Sequence, residues 1–108
     1  MTFSSSVNNP YRMAKQMSQD QNIKNRQVLS PYKLAITRYI RSSLALKGMK
    51  YEDLSVELSK KGITMTAENL RSKTHKGMFS ADLFIVIIDV LGIDDTALAE
   101  ILKQVKDA

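Results

Sequence analysis

Four glycines, Gly48, Gly62, Gly77 and Gly92, punctuate this chain, and each follows a run whose apolar residues recur at helical spacing. Ahead of Gly48, Ile36, Ile40 and Leu44 make an i, i+4 row, with Tyr32, Leu34, Tyr39 and Leu46 beside it. Ahead of Gly62 the row is Tyr51, Leu54 and Leu58. Ahead of Gly77 there is one bulky anchor, Leu70, helped by Ala67 and the methyl of Thr74. Ahead of Gly92, Leu83, Ile87, Val90 and Leu91 form one stripe, while Phe84 and Ile88 form a second. A last face follows Gly92, built from Leu98, Ile101, Leu102 and Val105. The reading is all-α with five helices: 31–47, 51–61, 67–76, 81–91 and one from about 96 onward. Residues 84–88 are also β-rich, but the Ser80 cap, the segment length and Gly92 favour helix.

The helix starts carry their own signals. Ser30-Pro31 reads as an N-cap followed by proline at the first helical position. Glu52 and Asp53 sit in the first turn of the second helix, where the helix dipole favours acids, and Lys60-Lys61 sit in its last turn. Thr66 is an N-cap candidate with Asn69 three residues on, where a full capping box would have Glu or Gln. Ser80 is the cap expected for the fourth helix, which should be the central one because it is apolar nearly all round.

Residues 1–30 differ in kind. Their bulky apolar groups are few, namely Phe3, Val7, Tyr11, Met13, Met17, Ile23, Val28 and Leu29, and Ser, Asn and Gln fill much of the rest. Such a segment buries too little to offset a backbone ordering cost of about 1–2 kcal/mol per residue. The expectation is a flexible, polar, basic N-terminal arm with only a weak helical pattern over 11–28, leaving 31–108 as the folded domain. That domain is near the lower size limit for a self-sufficient core, and with no Cys it has no disulfide to help. Dimerisation is one remedy.

Charge is placed unevenly. The chain carries +5 overall. Residues 33–77 hold ten basic against four acidic groups, whereas residues 78–108 hold two basic against six acidic ones. The arm adds Arg12, Lys15, Lys24 and Arg26 against Asp20. A positive middle beside a negative end suits one surface facing a polyanion and another facing away. Other classes fit poorly. His75 is the lone histidine, there is no Cys/His metal set, and every Gly closes a helix and so makes no phosphate loop; catalysis, a bound metal and a cofactor are not expected. The longest apolar run, Leu83–Ile88, is far short of a bilayer span, and the first residues lack a basic start followed by an apolar stretch. With no Cys, a cytoplasmic protein is expected.

The segment AENLRSKTHK is too polar to hold together alone, because short isolated helices are marginal in water. Neighbours must hold it while most of its surface points outward, which is what a recognition helix needs. Here the residues resemble a family. The stretch from Leu44 to Asp94 is similar to the phage-repressor (Cro-like, Xre-type) helix-turn-helix domain, and more closely to an uncharacterised bacterial branch of that superfamily. The resemblance is carried by Leu44–Lys47 before Gly48-Met49, by Tyr51-Glu52-Asp53-Leu54 with Leu58, by Asn69-Leu70-Arg71-Ser72-Lys73 with Lys76-Gly77, and by Phe79-Ser80-Ala81 with Leu91-Gly92-Ile93. The turn between Leu58 and Met65 is about five residues longer than the usual one.

The resemblance implies a five-helix, lambda-repressor-like domain that binds double-stranded DNA as a transcriptional regulator, with helix 66–76 in the major groove. Base contacts would come from Glu68, Asn69, Arg71, Ser72 and Lys73. Phosphate contacts would come from Lys50, Tyr51, Lys60, Lys61, Thr66, His75 and Lys76. Leu98, Ile101, Leu102 and Val105 would form a homodimer interface, unless that face covers the domain's own fourth helix. The alternative is an antitoxin-like or phage- or plasmid-encoded adaptor that binds a protein partner through residues 1–30 or the last helix.

Overall fold

The structure, a computed structural model, describes residues 10–107, with side chains from Asp20 to Asp107. Five helices follow one another: α1 (Pro10–Leu46), α2 (Tyr51–Lys60), α3 (Ala67–Lys76), α4 (Ala81–Leu91) and α5 (Ala97–Asp107). There is no strand among the described residues. The chain divides by backbone contacts into Met1–Ser30 and Pro31–Ala108.

The expected helix start at Pro31 is corrected. Helix α1 is already running at Pro10, and Pro31 lies inside it. Proline in a helix interior forfeits one hydrogen bond to the carbonyl four residues back, here that of Gln27. Gln27 and Pro31 are both exposed, so water can take that carbonyl. The Ser-Pro pair reads as a start only because nothing local distinguishes a first-turn proline from an exposed interior one. Among residues 20–30 every side chain is exposed. Gln21 Nε2 donates to Asn25 Oδ1 at 3.1 Å, an i, i+4 pair on the helix surface.

Within Pro31–Ala108 the main core is Ile40 and Leu44 of α1, Leu54 and Leu58 of α2, Leu70 of α3, and Ile87 and Leu91 of α4. These residues all lie on the periodic rows, and each of α1 to α4 contributes one or two. Ile63 and Met65, in the long turn between α2 and α3, pack against the same core. A second cluster joins Ala35 and Tyr39 of α1 to Ala97 and Ile101 of α5, with Phe84 and Ile88 of α4 against it. The Tyr39 and Thr96 hydroxyls lie 3.2 Å apart across this seam.

One cap differs from its reading. Ser80 precedes α4, but its hydroxyl makes no capping bond to the backbone. It serves Asp82 instead, whose Oδ1 also accepts the Leu83 N–H at 2.8 Å. These bonds, the Ser80 one first, hold the Asp82 carboxyl below its ordinary range.

Candidate nucleic-acid interface

Helix α3 is fixed at both ends. At its start, Thr66 is extended and its hydroxyl accepts the Asn69 N–H at 3.1 Å. Just before it, the Ser55 hydroxyl of α2 donates to the Met65 carbonyl and ties down the turn. At its far end, Thr37 of α1 donates its hydroxyl to the Thr74 carbonyl at 2.5 Å, a second partner for a carbonyl that also accepts the Gly77 N–H at 3.0 Å. Gly77 then closes α3 in the left-handed conformation, with φ 63°. It sits directly on α1: a Cβ there would stand 2.7 Å from the Lys33 carbonyl carbon. Only Leu70 and Thr74 of α3 are buried, both completely. The other eight side chains are left for a different use.

The outward face is polar. Glu68, Asn69, Arg71, Ser72, His75 and Lys76 are exposed, and Lys73 is half-buried. Thr66 is exposed at the cap. Arg71 does not simply point out. Its guanidinium lies over the Tyr51 ring at 5.1 Å, and 3.9 Å from both Glu52 and Glu68. Of the five residues expected to meet bases, Glu68, Asn69 and Ser72 are therefore the open ones, while Arg71 is drawn toward α2.

The expected phosphate contacts separate into two groups. Lys50, Tyr51 and Glu52 at the start of α2 line an open groove of about 530 Å³ together with Arg71 and, from α1, Arg41, Leu44 and Ala45. Arg41 also reaches His75, Nη2 to Nδ1, at 3.2 Å. Arg41 was not marked by any sequence signal. It lies one residue past Ile40, on the polar side of the apolar row, where nothing local separates a functional cation from a solubilising one. Lys60 and Lys61 belong elsewhere. Lys60 pairs with Glu57 at 2.7 Å and Lys61 with Asp89 of α4 at 2.9 Å. Both pairs are exposed and worth at most about 1 kcal/mol each, so they do not bar exchange for another anion.

The expected dimer face also divides. Ile101 is buried, at 6% exposure, and Val105 packs beside it, so these two cover α1 and α4 within the chain. Ile101 is thereby corrected from the interface list: its apolar surface is already spent inside. Leu98, at 70% exposure, and Leu102 remain open.

The family described as "Domain of unknown function (DUF6471)" matches residues 32–96. The chain belongs to this family. The DUF6471 segment takes in α1 from Tyr32, all of α2, α3 and α4, and every residue of the groove and of the α3 face. It ends at Thr96, just before α5. No curated protein and no solved structure matches the chain. Among the described residues, no group of three or more His, Cys, Asp or Glu could hold a metal ion, and no helix is long and apolar enough to cross a membrane.

Proposed function

We propose that this chain binds double-stranded DNA as a lambda-repressor-like helix-turn-helix regulator, with α3 lying in the major groove. One observation carries the reading: a helix whose one buried bulky apolar side chain is Leu70 is fixed at both ends while it presents Glu68, Asn69 and Ser72 outward. Fixed ends hold its register, and its polar face is left open to a base ladder. Asn69 suits adenine, Lys73 suits guanine and Glu68 suits the cytosine amino group. Arg41, Lys50, Lys76 and His75 supply cations around the helix for phosphates. On contact with a polyanion, Arg71 can exchange its two exposed carboxylates for a phosphate or a base edge. Leu98 and Leu102 are the open apolar groups through which two copies would pair.

The test is selection of preferred duplexes from a random pool by the full chain, followed by salt titration. The reading expects an enriched motif, and affinity that falls steeply with salt. Lys73→Ala should weaken the selected site more than random DNA, and Lys50→Ala should weaken both alike; gel shifts on the two duplexes check this. A flat salt response with no enriched motif contradicts the proposal.

A second reading, an antitoxin-like or phage- or plasmid-encoded adaptor, draws on the exposure of Ile23, Val28 and Leu29 along α1. It expects tight binding to a protein and no DNA affinity at low salt.

A further inference from the structure

We infer that Arg41, steered by His75, is a DNA-phosphate contact whose grip responds to pH. This rests on the DNA-binding reading above and deepens it. Arginine is only ever a donor, so in the Arg41–His75 contact at 3.2 Å the Nδ1 atom must be the acceptor. The contact therefore exists only while Nδ1 carries no proton. The backbone that carries the imidazole is held, because α3 ends on α1 at this point: the Thr37 hydroxyl lies 2.5 Å from the Thr74 carbonyl and 3.5 Å from that of His75.

The contact sets where the guanidinium stands. Arg41 borders the groove that Lys50 and Arg71 also line, so neutral His75 keeps a third cation in a site shared by α1, α2 and α3. Protonation removes the acceptor and places two positive groups side by side. Arg41 then has a phosphate as its one remaining partner, and His75 becomes a second cation able to meet a phosphate of its own. The other charged groups around His75 reinforce this. On α1, Arg38 lies one turn before Arg41. On α3, Arg71 lies one turn before His75, and Lys76 follows it. The acids beside this set, Glu52 of α2 and Glu68 of α3, are both paired with Arg71. The site thus has an excess of cations at neutral pH, and acidification adds one more without a carboxylate at hand to absorb it.

The experiment is anisotropy of the full chain on a mixed-sequence duplex, titrated with salt at about pH 8 and about pH 5.5. Wild type is compared with Arg41→Ala, His75→Ala and His75→Gln, each checked for helicity. One added phosphate pairing steepens the log-affinity against log-salt slope by about 0.9, or roughly eightfold tighter binding near 0.1 M salt. Wild type should show that steepening at the lower pH. Both His75 variants should lose it. At the higher pH, His75→Gln should bind better than His75→Ala, because its amide oxygen can still receive Arg41. Arg41→Ala should flatten the slope at the higher pH by a similar amount. A His75→Gln protein that keeps the wild-type acid response, or an Arg41→Ala protein with an unchanged slope, overturns the inference while leaving the DNA reading intact. No DNA binding by wild type at low salt overturns both.

Discussion

Helices α3 and α4 are neighbours of nearly equal length, 10 and 11 residues, and each ends on a left-handed glycine. They are held by opposite means. Helix α4 is apolar over most of its length and packs into both clusters: Ile87 and Leu91 are in the main core, and Phe84 and Ile88 lie against the α1–α5 seam. Helix α3 offers only Leu70 and the Thr74 side chain to the interior. What it lacks in buried area is replaced by point fixings: the Thr66 cap, the Thr37 bond and the seat of Gly77 on Lys33. A helix kept by area has most of its apolar side chains committed to packing, Ile85 apart. A helix kept by its ends is free to display its surface.

The contrast can be broken at four places. The largest effect is expected at the two glycines. Gly77 and Gly92 share nearly the same φ, 63° and 66°, but an added Cβ meets backbone only at Gly77. Gly77→Ala should cost about 3–5 kcal/mol, from left-handed strain plus a forced shift of α1 against α3. Gly92→Ala should cost only the strain, about 1–2 kcal/mol. Urea unfolding of both proteins checks this, and equal losses would remove the special seat of α3.

Next is the seam that α4 shares with α5. Ile101→Ala should destabilise by about 2–4 kcal/mol through the cavity it leaves, whereas Leu98→Ala should stay within about 0.5 kcal/mol. Thermal unfolding of the pair separates the buried half of the α5 face from the open half.

A smaller loss is expected for Thr37→Val, about 1–2 kcal/mol, because the buried Thr74 carbonyl loses a partner while the packing volume is kept. Its telling readout is faster hydrogen exchange at the end of α3, with α4 unchanged. The smallest effect concerns Asp82 at the start of α4. Its carboxyl is held below its ordinary range by Ser80 and by the Leu83 N–H, so its contribution exists at neutral pH and is lost as pH falls through the lowered value. The unfolding midpoints of wild type and Asp82→Asn should therefore differ slightly near neutrality and converge in acid, once the lowered carboxyl is protonated.

Much of this arrangement was legible along the chain because its cues are local. The periodic rows name the core, and Thr66 and Gly77 bound α3, since a cap and a left-handed stop each act within a few residues. What was missed depends on a competing partner or a context that the single cue does not name. Pro31 inside α1 looks the same as Pro31 at a helix start until the preceding residues are seen to be helical. The Ser80 hydroxyl had a competitor two residues away in Asp82. Arg71 is turned toward α2 by Tyr51 and Glu52, nineteen or more positions earlier, and Arg41 meets His75 across thirty-four. The apolar face of α5 was visible as a whole, but only the folded chain divides it between Ile101 and Leu98.

The most direct test of the account is an amide NMR titration of the full chain with a mixed-sequence DNA duplex at low salt. The account predicts that the amides that move lie on α3, from Glu68 to Lys76, and around Arg41 and Lys50, while those of α4 and α5 stay in place. Shifts gathered on α5 with α3 silent, or no shifts at all, would contradict it.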